Sequence, residues 1–144
     1  WTPGRDFQCV PNVIVHRALR GEPIRVAGAE AVGDWLHAAD VARGILALLD
    51  TNAADPAVFN IGYGEAVSIR ALIEATAAVV PGLQWQETKA QLADIVGRPD
   101  MRRGAWGAYD NSRLRALGWA PMPIAEAMAD YVDWQRQCEA IATE

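Results

Sequence analysis

The side chains best suited to bind an anion lie in one loop, between Gly97 and Gly107. Within it are four charged residues, Arg98, Asp100, Arg102 and Arg103. Guanidinium groups bind phosphate in bidentate geometry, so several of them on a glycine-bounded loop can hold a phosphate or a diphosphate. A solvated charged loop accounts for the same composition, and both interpretations stay open at this point.

Other residue types with catalytic or ligand chemistry lack the neighbours that such chemistry needs. Lys89 is the only lysine, and no pattern around it indicates a Schiff base. The two histidines, His16 and His37, do not have the spacing of a metal site. Gly62-Tyr63-Gly64 resembles the start of a dinucleotide-binding turn, but Val67 stands where the third glycine belongs, which favours a tight structural turn.

Composition limits the class of protein. The 144 residues are 51% hydrophobic and 22% charged, with a net charge of −5, which is typical of one globular domain. An acidic chain argues against broad binding to nucleic acids or anionic membranes, and no apolar run is long enough for a transmembrane helix. Two distant cysteines predict a reducing, cytoplasmic setting. Because the chain begins with Trp1 rather than Met, we expect it to be part of a longer polypeptide.

Short strands alternate with helices, which predicts an α/β or α+β fold. The pattern predicts helices at Pro11–Arg20, Asp40–Asp50, after Ser68, before Gly118 and after Pro123. It predicts strands at Ile24–Ala27, Trp35–His37, Val58–Ile61 and Leu83–Glu87. These strands are too short and too few for a freestanding doubly wound sheet. We therefore expect about half of a larger α/β fold.

Five stretches follow one another in an order that one family shares. The first is a helix leading into Gly21-Glu22-Pro23-Ile24. The others are Gly33–Ala42, similar to R-D-F-V-H-V-D-D-V-A; Phe59–Gly64 with Ser68, similar to F-N-I-G-x-G-x-x-x-S; Arg98-Pro99-Asp100, similar to R-P-G-D; and Leu117–Pro121, similar to L-G-W-x-P. Together they resemble the extended short-chain dehydrogenases/reductases, also called NAD-dependent epimerases/dehydratases.

The resemblance covers nearly all of residues 1–144 and implies the C-terminal, substrate-binding half of such an enzyme, without its Rossmann core. The N-terminal half of the family carries the glycine-rich NAD(P) turn and the Tyr-x-x-x-Lys acid/base pair. Here Trp85, not a tyrosine, stands four residues before Lys89. The resemblance thus implies no catalytic residue and no cofactor or metal bound by this chain alone, with NAD(P) held mainly by the N-terminal half of the parent enzyme.

Five residues match the family's substrate-binding positions, and they imply a nucleotide-diphosphate sugar as ligand. Val10, Pro11 and Asn12 match the start of the helix that contacts the nucleotide, and Arg98 and Asp100 match the loop that binds diphosphate and ribose. Asp34 and Asp40 match positions that caps and turns explain. Two positions depart from the family: Gly33 replaces the arginine that opens the R-D-F motif, and the R-P-G-D loop lacks its glycine.

The resemblance implies that the parent enzyme is similar to UDP-glucose 4-epimerase, which is an isomerase. A dehydratase and a reductase are the alternatives that the sequence leaves open. It also implies that residues 41–64 pack on the absent Rossmann domain, so that apolar surface and a strand edge are exposed and self-association follows. The competing hypothesis is a standalone, non-catalytic module that binds a nucleotide sugar or a protein partner. Neither hypothesis includes nucleic acid or a membrane as partner.

Overall fold

The structure, a computed structural model, describes residues 9–51, 58–98 and 108–141. Within these ranges the helices are α1 (Val10–Leu19), α2 (Ala38–Leu49), α3 (Ile69–Val79), α4 (Ser112–Arg115) and α5 (Ile124–Ile141). The strands are β1 (Ile24–Ala27), β2 (Val32–Gly33), β3 (Val67–Ser68), β4 (Trp85–Glu87) and β5 (Ile95–Val96), and one 3-10 turn covers Ala90–Leu92. This mixture confirms the predicted α/β class.

The main sheet has three parallel strands in the order β4-β1-β5. Strand β1 lies in the centre, with Val26 opposite both Glu87 of β4 and Ile95 of β5. A second, two-stranded sheet pairs β2 with β3 in antiparallel register. Because the parallel strands all end at the same edge, the residues that follow β1 and β5 lie on one side of the molecule.

Helices α1, α3 and α5 contact one another and cover one face of the main sheet. Ile24 and Val26 of β1 point into this layer and are fully buried, whereas Arg25 between them is exposed. On the open face, Arg25 donates to both carboxylate oxygens of Asp94, at 3.1 and 2.9 Å. This pairing lowers the pKa of Asp94. The alternation places the hydrophobic core between the sheet and the helices.

Several local predictions are confirmed. Helix α1 begins at Val10 with Pro11 in its first turn, and Gly21 after it has a φ of +67°. Such a left-handed residue ends a helix without the steric cost that a Cβ brings. Ser68 caps α3 by accepting a hydrogen bond from the Ala71 N–H at 3.2 Å. Strand β1 has the predicted bounds.

Three local predictions are wrong. Residues 35–37 form no strand; the Trp35 indole instead donates from Nε1 to the Val67 carbonyl at 2.9 Å. Residues 58–61 form no strand, since a strand requires a neighbour and no described strand pairs with them. Helix α2 is capped by His37 rather than by Asp40, which lies in the first turn and is buried.

Helix α2 presents apolar side chains to solvent. Ile45, Leu46 and Leu49 are 47%, 60% and 75% exposed, and Val58 beyond the helix is 79% exposed. The helix contributes few buried residues, although it is among the most apolar in the chain. None of the described helices combines the length and hydropathy that a membrane span requires. The apolar face of α2 is therefore a surface feature of the described fold.

Candidate functional site

An open pocket of about 200 Å³ lies between the start of α1, the segment leading into α2, and the first half of α5. Apolar side chains, among them Leu72, Ile124 and Met128, form much of its wall. Four polar or ionisable residues also line it: Cys9, Asn12, His37 and Tyr131. A largely apolar cavity with a few fixed polar groups is the usual form of a small-molecule site.

The start of α1 supplies two of the predicted substrate residues to this pocket, Pro11 and Asn12. The Asn12 side chain is held in place because its Oδ1 accepts a hydrogen bond from the Tyr131 hydroxyl of α5 at 3.1 Å. Val10 is half-buried and packs against the hydrophobic core. The structure therefore places Pro11 and Asn12 at a cavity and gives Val10 a packing contact.

Two ionisable groups of the pocket are shifted towards their neutral forms. Burial, and secondarily the nearby Cys9, raises the pKa of Tyr131 to about 12. Burial also raises the pKa of the Cys9 thiol, although Cys9 as a residue is exposed. Both side chains are neutral at physiological pH, and the Tyr131 hydroxyl thus retains the proton that it donates to Asn12.

His37 joins the pocket to α2 and α5. Its Nδ1 accepts a hydrogen bond from the Ala39 N–H at 3.2 Å, which caps α2. A neutral imidazole in this geometry carries its proton on Nε2, and Nε2 lies 3.5 Å from the Asp130 carboxylate. His37 thus has a fixed orientation and tautomer. No group of three metal-ligating side chains occurs in the part of the chain that the structure describes.

Arg98 lies at a separate place, directly after β5. Gly97 approaches the turn after β1 closely: its N–H donates to the Ala27 carbonyl at 2.7 Å, and a Cβ added to it would lie 2.6 Å from that of Ala31. Arg98 is exposed and is not among the described pocket residues. The predicted partners Asp100, Arg102 and Arg103 lie outside the described residues.

Arg98 and the start of α1 nevertheless lie at the same end of the main sheet. Helix α1 connects to β1 through only four residues, and the two elements contact each other, so they run in opposite directions. The beginning of α1 is therefore at the edge where β1 ends. Strand β5 is parallel to β1 and ends at this edge as well, which is where Arg98 follows.

The Gly62-Tyr63-Gly64 turn is occupied by contacts within the protein. The N–H groups of Tyr63 and Gly64, which a phosphate would need, donate to the Asp34 carboxylate at 2.6 and 3.0 Å. The Asn111 amide donates to the carbonyls of Gly62 and Tyr63 at 2.9 and 3.1 Å. These contacts do not fit a cofactor phosphate and support the structural interpretation of the turn.

Sequence reasoning missed three residues of the pocket. The sequence pattern predicts a strand for Trp35 and His37 and does not support a metal site at His37, and it predicts only a helix after Pro123 for the region of Tyr131. A usable signal existed for Tyr131, because a buried tyrosine needs a hydrogen-bond partner for its hydroxyl. That partner, Asn12, lies 119 residues away, so no local pattern could identify it.

Comparison with known proteins agrees with this fold. Residues 4–62 match the model of the NAD dependent epimerase/dehydratase family. This segment contains α1, β1, β2 and α2, and hence Val10, Pro11, Asn12 and the Gly33–Ala42 stretch. No curated protein matches the sequence.

Solved structures of whole enzymes share the fold. A UDP-glucose 4-epimerase from Thermotoga maritima, solved with UDP-glucose, has a TM-score of 0.66 at 22% identity, over 90% of this chain and 40% of that one. WbmF from Bordetella bronchiseptica, solved with NAD+, has a TM-score of 0.67 at 24% identity, over 97% of this chain and 40% of that one. A GalE-like L-threonine dehydrogenase from Cupriavidus necator has a TM-score of 0.65 at 23% identity, over 92% of this chain and 48% of that one. The chain spans less than half the length of each of these proteins.

Proposed function

We propose that this chain, a member of the NAD-dependent epimerase/dehydratase family, is the substrate-binding part of an NAD(P)-dependent sugar epimerase or dehydratase. Its ligand is a nucleotide-diphosphate sugar. The observation that supports this most directly is the position of the start of α1 and of Arg98 at one end of the β4-β1-β5 sheet. The solved relative that holds UDP-glucose adds support at the level of the fold.

The division of labour at this edge follows from the residue types. Arg98 supplies a permanent positive charge for the diphosphate, and a guanidinium can hold two of its oxygens at once. Pro11 and Asn12, at the first turn of α1, contact the uncharged part of the ligand. Val10 supports them from the core side. Asp100 is proposed to bind the ribose, as the family motif implies.

The chain by itself is proposed to be non-catalytic. The Gly62-Tyr63-Gly64 turn, the described stretch that resembles a cofactor-binding turn, donates the N–H groups of Tyr63 and Gly64 to Asp34, so this turn does not fit a cofactor phosphate. NAD(P) then belongs to the N-terminal Rossmann half of the parent enzyme, which supplies the acid/base pair and the redox chemistry. This half holds the sugar in position for that chemistry.

The test is calorimetric titration of the chain with UDP-glucose and UDP. Arg98→Ala is expected to weaken binding at least tenfold, because a charge-assisted hydrogen bond contributes about 1.5–3 kcal/mol. Arg20→Ala is the matched control, since Arg20 is exposed at the opposite end of α1. Equal affinities in the two variants, or binding of L-threonine in place of UDP-glucose, contradict the proposal.

The exposed face of α2 is proposed to contact the Rossmann half of the parent. Ile45, Leu46 and Leu49 lie on one side of this helix, and covering one leucine side chain stabilises an interface by about 1.5–3 kcal/mol. In the isolated chain the same face is expected to cause self-association, the outcome that an uncovered apolar patch favours.

Leu46→Glu is expected to weaken this self-association at least tenfold, as measured by analytical ultracentrifugation over a range of concentrations. Leu92→Glu is the matched control, because Leu92 and Leu46 are equally exposed, at 60% each. An assembly that Leu92→Glu disrupts and Leu46→Glu does not would place the association on another surface.

A further inference from the structure

The imidazole of His37 lies between two helices and contacts both of them. Its Nδ1 accepts the Ala39 N–H at 3.2 Å and so caps α2. Its Nε2 lies 3.5 Å from the carboxylate of Asp130 on α5. The His37 side chain is largely covered, whereas that of Asp130 is 61% exposed. One titratable ring thus joins the start of α2 to the first half of α5.

The two contacts favour different protonation states of the ring. A neutral imidazole accepts a hydrogen bond at Nδ1, whereas in the imidazolium both nitrogens are donors. A protonated Nδ1 would face the Ala39 N–H, donor against donor, at a helix end that repels positive charge. The contact with Asp130 gains from the same proton, because a charge-assisted hydrogen bond is stronger than a neutral one. Protonation therefore weakens the contact with α2 and strengthens the contact with α5.

The surroundings allow the ring to exchange one contact for the other. The 3.5 Å between Nε2 and Asp130 exceeds the roughly 2.7–2.9 Å of a charge-assisted hydrogen bond, so the ring has room to move closer. Ala39 is exposed, and water can accept the N–H that the ring releases. The N–H groups of Asp40 and Val41 donate to the His37 carbonyl, which keeps the first turn of α2 in place. The exchange is therefore a local step that leaves the helix folded.

The other ionisable groups near the ring do not compete with Asp130. No lysine, arginine or carboxylate is among the described residues that line the pocket. Cys9 and Tyr131, which do line it, have raised pKa values and are neutral where histidine titrates. On α2 itself, the buried Asp40 carboxylate pairs with Arg43, so these two charges offset each other. The balance between the cap and Asp130 thus decides the position of the ring.

We propose that His37 is a pH-dependent switch, which caps α2 when it is neutral and turns to Asp130 when it is protonated. Histidine ordinarily gains its second proton between about pH 5 and 8, so the exchange falls in a physiological range. His37 also lines the pocket beside Asn12. At low pH the switch adds a positive charge to a wall whose described residues otherwise carry none.

The test follows the Ala39 amide and the His37 ring by NMR between about pH 8 and 5. The protection of the Ala39 amide, corrected for the intrinsic pH dependence of exchange, is expected to fall about fivefold, the effect of losing one helix cap. His37→Asn keeps a cap that does not titrate in this range, and its Ala39 protection should stay constant. A pH-independent Ala39 amide in the unaltered chain overturns the proposal. So does a transition that persists in His37→Asn, because it would belong to His16, the other histidine of the sequence.

Asp130→Asn tests the second contact of the ring. It is expected to move the midpoint of the Ala39 transition to an about threefold higher proton concentration, because exposed ion pairs are weak. Asp133→Asn is the matched control, since Asp133 is 67% exposed on the same helix and pairs with Arg136. Equal midpoints in these two variants overturn the exchange of contacts. No nucleotide sugar is present in either titration, so the result is independent of the proposed function.

Discussion

Gly64→Ala is expected to lower the free energy of unfolding by about 3 kcal/mol. Gly64 has a φ of +85°, where an alanine costs about 1–2 kcal/mol through clashes of its Cβ with the backbone. The added Cβ would also lie 2.8 Å from the Asn111 Cγ and displace that amide. Breaking the hydrogen bonds of Asn111 to two carbonyls adds about 1–3 kcal/mol.

Gly118→Ala separates these two costs. Gly118 has the same φ of +85°, but no atom lies within 4 Å of an added Cβ. Urea-induced unfolding of this variant should show the backbone cost alone, about 1–2 kcal/mol. Equal losses in the two variants would mean that the Asn111 contact contributes nothing to stability.

Gly62 and Gly64 are the two glycines that resemble a cofactor-binding turn. In the structure they permit close contact with Asn111 and with Tyr109, whose Cβ would lie 2.9 Å from a Cβ on Gly62. Two glycines after an apolar stretch are equally compatible with a phosphate site and with close packing. Val67 in place of the third glycine favours close packing, and the N–H groups, which donate to Asp34, support the same interpretation.

The elements that the sequence predicts well are those whose cause is local. Helix α1 is defined by Pro11 at its start and Gly21 after its end, and α3 by its Ser68 cap. The residues around Trp35 and Val58 have a strand propensity as strong as that of β1. A strand also needs a neighbouring strand to pair with, however, and these residues have none among the described strands. Local propensity therefore gave the helices and β1, and failed where pairing decides.

The candidate site shows the same dependence on distance in sequence. Pro11 and Asn12 could be assigned because a family motif contains them. Tyr131 and His37 reach the pocket only because α5 folds back on the start of α1 and on the segment before α2. Residues without a motif become site candidates only through such long-range contacts.

Gly33 stands where the R-D-F motif of the family has an arginine. From the sequence alone, this replacement means that one phosphate ligand is missing. In the structure it is coupled to Trp35, whose indole fills the space above Gly33. A side chain at position 33 would therefore require the Trp35 indole to move.

Asp34→Ala is expected to lower the free energy of unfolding by about 3 kcal/mol as well. The Asp34 carboxylate accepts the N–H groups of Tyr63, Gly64 and Tyr109, at 2.6, 3.0 and 3.0 Å. Hydrogen bonds to a charged group contribute about 1.5–3 kcal/mol each, and partial exposure of this site reduces their sum. Asp34→Asn keeps one acceptor oxygen and is expected to lose less.

Amide hydrogen exchange distinguishes this role from a general loss of stability. Asp34→Ala should raise the exchange rates of the Tyr63, Gly64 and Tyr109 amides about 100-fold. The three hydrogen bonds that are lost contribute about 3 kcal/mol together, because the site is partly exposed. Asp110→Ala removes a carboxylate that accepts a single N–H, from Ser112, and should leave those three amides protected. If only the Tyr109 amide responds to Asp34→Ala, the turn at residues 62–64 is held by Asn111 rather than by Asp34. Its N–H groups would then be available to a ligand after all.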